Sequence, residues 1–295
     1  MVAGRIVMSS IRSIYNEKKA VFSCEIYPPK KEDEFLNINE KLEMLKSTGP
    51  DFISVTYGAG GSNAGKAVDI SSKAKNTFGL EVLSHITSVG FNRADLEKGL
   101  KAFRENGIEN VLALRGDRPK AMSDEQYDNR DFIHASDMMT FIKKNFPDFT
   151  IAGACYPEKH FEAPDMESDA DMLRVKSESG CDFFISQLFF DNSFFYSMCD
   201  RMKKRGIDIP VSAGIMPVTS AKMLGTTISL SGTSIPKELS DLVARYADDA
   251  ESMKKAGLEY AINQCRDLLS HGVDGIHLYI MNKPALAETI FNAIR

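Results

Sequence analysis

Short apolar runs and charged, helix-periodic segments alternate along this chain from end to end. The runs begin at Val21 (VFSCEI), Phe52 (FISVTY), Val82 (VLSHIT), Asn110 (NVLALR), Thr150 (TIAGACY), Phe183 (FFISQLFF), Val211 (VSAGIM) and Gly275 (GIHLYI). Each is nearly continuous in apolar residues, the pattern of a strand buried on both faces of a parallel sheet. The segments between them read as helices. In residues 92–105, Leu96, Leu100 and Phe103 recur at i, i+4 and i+7, while Asp95, Glu97, Lys98, Lys101 and Arg104 take the opposite face. Similar patterning predicts helices over 34–46, 65–77, 136–145, 168–179, 193–204 and 283–294. The interval between the seventh and eighth runs is about twice the others and takes extra helices at 236–245 and 248–271, the latter ending at a C-cap glycine, Gly272.

Eight strands alternating with helices in 295 residues predict an α/β fold, a (β/α)8 barrel spanning the chain as one domain, with residues 1–19 as an N-terminal extension or helix. The rival architecture is an open doubly wound sheet, which wants a glycine-rich phosphate loop after its first strand. Here the first run leads into Tyr27-Pro28-Pro29-Lys30 instead. No linker rich in Gly, Ser or Pro divides the chain.

Composition narrows the function. With 36 Lys+Arg against 41 Asp+Glu the net charge is −5, without the basic footprint of a nucleic-acid-binding domain. No apolar run approaches the roughly 18–20 residues that span a bilayer. The N-terminus lacks an apolar core followed by a small-residue cleavage site, so a cytoplasmic, soluble protein is expected. Cys24, Cys155, Cys181, Cys199 and Cys265 are scattered, and His85, His134, His160, His271 and His277 form no ligand pair of H-x-x-x-H type. Neither a disulfide framework nor a metal site is predicted, and buried inert thiols fit most of the cysteines.

Barrel enzymes place their chemistry at the C-terminal ends of the strands. Those ends here carry polar or ionisable groups almost without exception: Glu25, Thr56, His85, Arg115 with Asp117, Tyr156, Gln187 and Lys283 among them. Such a ring costs free energy unless a polar-edged ligand uses it. Glu25 lies inside an apolar strand, where it either pairs with an Arg or Lys or becomes a carboxyl of raised pKa. Asp117 has an ion pair with Arg115 or Arg118 as its plain alternative.

The strings CEIYPPK, SVTYGAGG, SHIT, ALRGDRP, ACYPEKH, ISQLFFD, AGIMPVTS and HLYIMNK resemble, in order, the motifs of the methylenetetrahydrofolate reductases, flavin-dependent barrel enzymes of one-carbon metabolism. The resemblance covers about residues 20–291. It is to the short bacterial form, since nothing after the barrel matches the S-adenosylmethionine-sensing domain of eukaryotic members. It implies FAD as cofactor and reduction of 5,10-methylenetetrahydrofolate to 5-methyltetrahydrofolate by ping-pong hydride transfer through flavin N5. It implies a general acid at Glu25 and an electrostatic role for Asp117, which would lower the flavin potential and stabilise a developing iminium cation. Flavin contacts carry over to Thr56, Tyr57, Ala59, His85, Arg115, Gly116, Asp117, Ala135, Tyr156, His160, Asp169 and Lys176. Arg115, His160 and Lys176 would be cationic partners of the pyrophosphate. Gln187 would donate to and accept from the pterin edge, with Lys283 near the folate.

One segment departs from the family. Where its members carry a Gln and, one turn on, a stacking Phe after the seventh strand, this chain has Met223 and Thr227. The departure puts NADH as donor in question and brings in a reduced ferredoxin or a partner flavoprotein subunit, in a homo-oligomer or a hetero-complex. Two other readings compete: a lyase or aldolase without flavin that uses Glu25 and Lys283, and a folate- or flavin-binding subunit of a methyl-transferring complex.

Overall fold

Eight parallel strands close on themselves in strict sequence order, β1-β2-β3-β4-β5-β6-β7-β8, with β1 paired to β8. The computed structural model describes residues 10–29, 37–57, 64–119 and 121–295. The strands are β1 Val21–Ile26, β2 Phe52–Val55, β3 Val82–Thr87, β4 Asn110–Leu114, β5 Thr150–Cys155, β6 Phe183–Ser186, β7 Val211–Ile215 and β8 Gly275–Tyr279. The described helices are α1 Ile11–Glu17, α2 Ile38–Thr48, α3 Ala64–Asn76, α4 Arg93–Glu105, α5 Asp124–Asp128, α6 Ala135–Asn145, α7 Met166–Glu178, α8 Asn192–Lys204, α9 Ala221–Ser231, α10 Lys237–Arg245, α11 Ala250–Ser270 and α12 Pro284–Ile294. The barrel expected from the run pattern is the one observed, and every strand begins at the residue where its apolar run begins.

The continuous apolar runs hide an alternation that the barrel imposes. On β1, Cys24 and Ile26 face outward into the layer beneath the helices, while Val21 packs into a separate cluster inside the barrel. Phe52, Leu83, Leu112, Ala152, Phe183 and Ile185 share that inner cluster. Helix α1 plugs its lower end with Ile11 and Ile14, and Tyr15 reaches Ser212 Oγ at 2.7 Å. Helix α1, in the described part of the N-terminal extension, therefore forms the floor of the barrel. Toward the upper end the same inner register brings in Glu25, His85, His277 and Tyr279.

Local signals account for the helix boundaries. Asn92 caps α4 and Asp95 returns the bond to complete a capping box. Asp165 caps α7 through Ser168 N–H. Gly272 follows α11 at φ 76°, the left-handed conformation of a C-cap glycine. Between β7 and β8 the chain makes three helices, and α9 forms in spite of Gly225 in its interior. Among the described residues no helix is long and apolar enough to cross a membrane. All five cysteines are free, four of them buried.

Candidate active site

A cavity of about 710 Å³ opens at the C-terminal ends of the strands. Its walls include Glu25 from β1, His85 from β3, Gln187 just after β6, Met223 and Thr227 from α9, and Lys283 before α12. Leu112, Leu114, Ile185 and Met216 make the rest of the wall largely apolar.

Burial pushes the Glu25 carboxyl up to about 7. Among the described residues no Arg or Lys pairs with it. Its ionisable neighbour is His85, whose Nε2 lies 3.5 Å from Oε2. That contact falls within ion-pair distance but lacks hydrogen-bond geometry, and among the described residues Nε2 has no hydrogen-bond partner. Burial lowers the His85 imidazole to about 3. The pair is thus a carboxylic acid beside a neutral imidazole over most of the range below pH 7. Two positions along β3, the buried Thr87 Oγ1 also has no partner among the described residues. His277 behaves differently. It is fully buried, with Nδ1 at 2.8 Å from Ser23 Oγ, a core histidine whose ring is held by the barrel.

Gln187 is fixed on two sides. Its backbone N–H donates to Cys155 O at 2.7 Å, and its side-chain Oε1 accepts from Leu188 N–H at 2.9 Å. The amide carbonyl is therefore engaged within the chain, and the NH₂ is the group left to address a ligand.

A second cavity, of about 400 Å³, adjoins the first through Leu114, Ala154 and Tyr156. Arg115, Ala135, His160, Asp169 and Lys176 line it. Both terminal nitrogens of Arg115 bond the two carboxylate oxygens of Glu162, Nη2 to Oε1 at 2.9 Å. This pairing raises the guanidinium pKa and lowers that of Glu162. His160 Nδ1 accepts Glu162 N–H at 3.2 Å, and burial lowers the imidazole pKa, which leaves Nε2–H as a neutral donor. Lys176 Nζ donates to Ala154 O at 2.7 Å, with burial lowering its pKa. Asp169, buried and raised by desolvation, accepts His160 N–H. The three expected cations thus converge on one wall, each held by a partner from the chain.

Other expected residues stand apart from both cavities. Thr56 bonds Ile26 O through its backbone, and Tyr57 is buried against the rings of Phe91 and Phe103. Gly116, at φ 80°, abuts Thr87, where any Cβ would lie 3.0 Å from that side chain. Asp117 is exposed. The ion pair that was its plain alternative does not form, because Arg115 takes Glu162 and Arg118 takes Asp124. Ala59 lies outside the described residues. Glu162, Thr87 and Tyr279 were not singled out from sequence. Thr87 and Tyr279 carried a signal there, each two residues beyond an inward histidine, His85 on β3 and His277 on β8.

A closed parallel barrel with an acid, an amide and a wall of Arg, His and Lys donors gathered at its strand ends defines a (β/α)8 enzyme scaffold. The chain belongs to the methylenetetrahydrofolate reductase family, whose model matches residues 10–295. It is 30% identical over 272 residues to the 5,10-methylenetetrahydrofolate reductase of Escherichia coli, covering 92% of this chain and 90% of that protein. It is 33% identical over 288 residues to methylenetetrahydrofolate reductase (NADH) 1 of Arabidopsis thaliana, covering 94% of this chain and 48% of the relative. The chain thus spans about half the length of the plant and yeast relatives it matches. Among solved structures, an uncharacterized protein from Clostridium thermocellum that binds two copies of 5-methyl-5,6,7,8-tetrahydrofolic acid superposes with a TM-score of 0.67 at 15% identity, over 96% of this chain and 99% of that one, a likeness of fold.

Proposed function

We propose that the chain is an FAD-dependent oxidoreductase that reduces 5,10-methylenetetrahydrofolate to 5-methyltetrahydrofolate. The observation that carries this reading is Glu25: a carboxyl set in the wall of the main cavity, with no Arg or Lys partner among the described residues, a neutral His85 beside it, and its pKa raised to about 7 by burial. A group so tuned holds a proton near neutrality and can deliver it as a general acid. Here the proton would go to folate N10 as the imidazolidine ring opens. Gln187 NH₂ would orient the pterin, and Lys283, exposed at the mouth, would meet the more distant part of the folate.

The residues fit a flavin dinucleotide. Two buried polar atoms on β3, His85 Nε2 and Thr87 Oγ1, lack hydrogen-bond partners among the described residues. The adjoining cavity offers Arg115, His160 Nε2–H and Lys176 to a pyrophosphate. When bound, FAD supplies hydride storage at N5, loaded from a reduced donor and delivered to folate in ping-pong order. Asp117, unpaired with either neighbouring arginine, would disfavour negative charge nearby and stabilise a cation on the substrate. Met223 and Thr227 form the wall that a nicotinamide would meet. A reduced ferredoxin or a partner flavoprotein subunit is the alternative source of electrons.

The test is an anaerobic visible spectrum of the purified protein. A yellow protein whose flavin bands bleach with reductant and return with methylenetetrahydrofolate is expected. Protein that carries no flavin and takes none up on incubation with FAD would overturn the proposal.

A further inference from the structure

The barrel has an opened seam directly behind Gln187. Strands β6 and β7 pair only at Phe184↔Val211 and Ile185↔Ser212, whereas β7 and β8 stay paired up to Ile215↔Leu278. Beyond Ile185 the ladder gives way to side chains. Ser186 Oγ accepts Gly214 N–H at 2.8 Å and donates to Gln187 O at 2.9 Å. Tyr279 Oη, from β8, donates to Ser186 O at 2.8 Å. The Tyr279 ring crosses over Gly214: a Cβ there would lie 2.7 Å from Tyr279 Cε2 and 2.2 Å from Ser186 O. Position 214 therefore excludes every residue but glycine if the phenol is to reach the carbonyl.

We infer that Tyr279 is a positioning residue, a phenol wedge that sets the Ser186-Gln187 peptide so that the Gln187 amide faces the folate. The inference rests on the function proposed above. Three features support it. The hydroxyl satisfies a carbonyl that the interrupted ladder leaves unpaired, and an unpaired buried carbonyl would be driven to move. The peptide it holds leads directly into Gln187, whose own N–H and Oε1 are already anchored to Cys155 O and Leu188 N–H. Burial raises the Tyr279 pKa well above its ordinary value, so the group stays a phenol and a donor across the working range. Tyr279 lines the main cavity as well, so a direct contact with ligand is the rival explanation.

The experiment is a double-mutant cycle on the holoenzyme with Tyr279→Phe and Gln187→Ala, with Ser186→Ala as an independent lesion of the same seam. Flavin is reduced with dithionite, and reoxidation by methylenetetrahydrofolate is followed by stopped flow. Tyr279→Phe and Ser186→Ala are each expected to raise the half-saturating folate concentration about fivefold, the factor of one lost hydrogen bond. Flavin affinity and the flavin spectrum should not change. The double variant Tyr279→Phe/Gln187→Ala should be no worse than Gln187→Ala alone. Multiplying effects in the double variant would make Tyr279 a direct ligand contact and overturn the inference, as would a silent Tyr279→Phe beside an impaired Gln187→Ala. A silent Gln187→Ala overturns the folate role of Gln187 itself, and the inference with it.

Discussion

Glu25 Oε2 and His85 Nε2 face each other across the barrel mouth at 3.5 Å, in contact yet without a hydrogen bond. β2 lies between their strands, so neither residue touches the other through the sheet ladder. A charged histidine would hold the carboxylate ionised, but burial keeps the imidazole neutral and removes that influence. Desolvation then acts alone on Glu25 and lifts it to about 7. The neutral partner leaves the carboxyl protonated close to neutrality.

Glu25→Gln keeps the size of the side chain and deletes its proton. Flavin content and donor-driven bleaching are expected to stay near normal. Reoxidation by methylenetetrahydrofolate should fall by roughly 10²–10⁴, the range for loss of a general acid. Single-turnover stopped flow on each half-reaction separates the two, and substantial folate turnover in the variant would remove Glu25 from the mechanism.

The same groups set how stability depends on pH. Unfolded, His85 and His277 take up protons below their ordinary 6.5, while folded they stay neutral down to about 3. Unfolding therefore binds protons, and stability drops as pH falls from 6.5 toward 3. Glu25 has the opposite sign: the folded acid keeps its proton up to about 7, whereas the unfolded one loses it near 4.5. Its contribution to stability declines as pH rises from 4.5 to 7 and is constant above. Relative to wild type, Glu25→Gln should gain stability across that window, by at most about 3 kcal/mol, and then level off. Thermal melts from pH 4.5 to 8 measure it. A constant difference would mean that burial leaves the carboxyl at its ordinary pKa.

Arg115 and Glu162 supply a third prediction. The carboxylate is half exposed, so the pair contributes only about 0–1 kcal/mol, yet it occupies both arms of the guanidinium that a pyrophosphate would need. Glu162→Gln should tighten FAD binding to the apoprotein about two- to fivefold at low ionic strength, with the gap closing as salt is added. Flavin fluorescence titration reads this directly. Weaker binding in the variant would instead show that Glu162 holds Arg115 in place for the phosphate.

Much of this was legible in the sequence because barrel strands are buried on both faces, so the apolar runs mark their own starts. The inward register was legible too, in hindsight: Ser23 and Glu25, Ser54, His85, Ser212, and His277 with Tyr279 are polar positions within otherwise apolar runs. What the letters do not carry is pairing across long separations. Glu162 reaches Arg115 over 47 positions and Tyr279 reaches Ser186 over 93. Neither partner has a local spacing that announces the other. The burial of Tyr57 among phenylalanines is equally tertiary, since its motif neighbours point to a ligand instead.

The wall proposed to meet the electron donor yields the last prediction. Hydride transfer requires a nicotinamide stacked with its reacting carbon within about 3–3.5 Å of the flavin. Met223 and Thr227 sit one helical turn apart on α9 and line the same cavity as Glu25. Thr227 Oγ1 donates to Met223 O at 2.8 Å, so its hydroxyl is engaged by its own helix, and Thr219 Oγ1 lies 3.7 Å from Met223 Sδ. Neither residue presents an aromatic face or an amide to a nicotinamide. NADH is therefore expected to reduce the flavin slowly or with a high apparent dissociation constant, and a reduced ferredoxin or flavoprotein to do so faster. Thr227→Phe should accelerate the NADH half-reaction, because Met216, 3.7 Å from Thr227 Oγ1, and Met223 are soft enough to repack around a ring. Anaerobic stopped-flow titration with NADH decides the matter. Fast, saturating reduction of the native protein at micromolar NADH would show that a methionine and a threonine suffice as the platform.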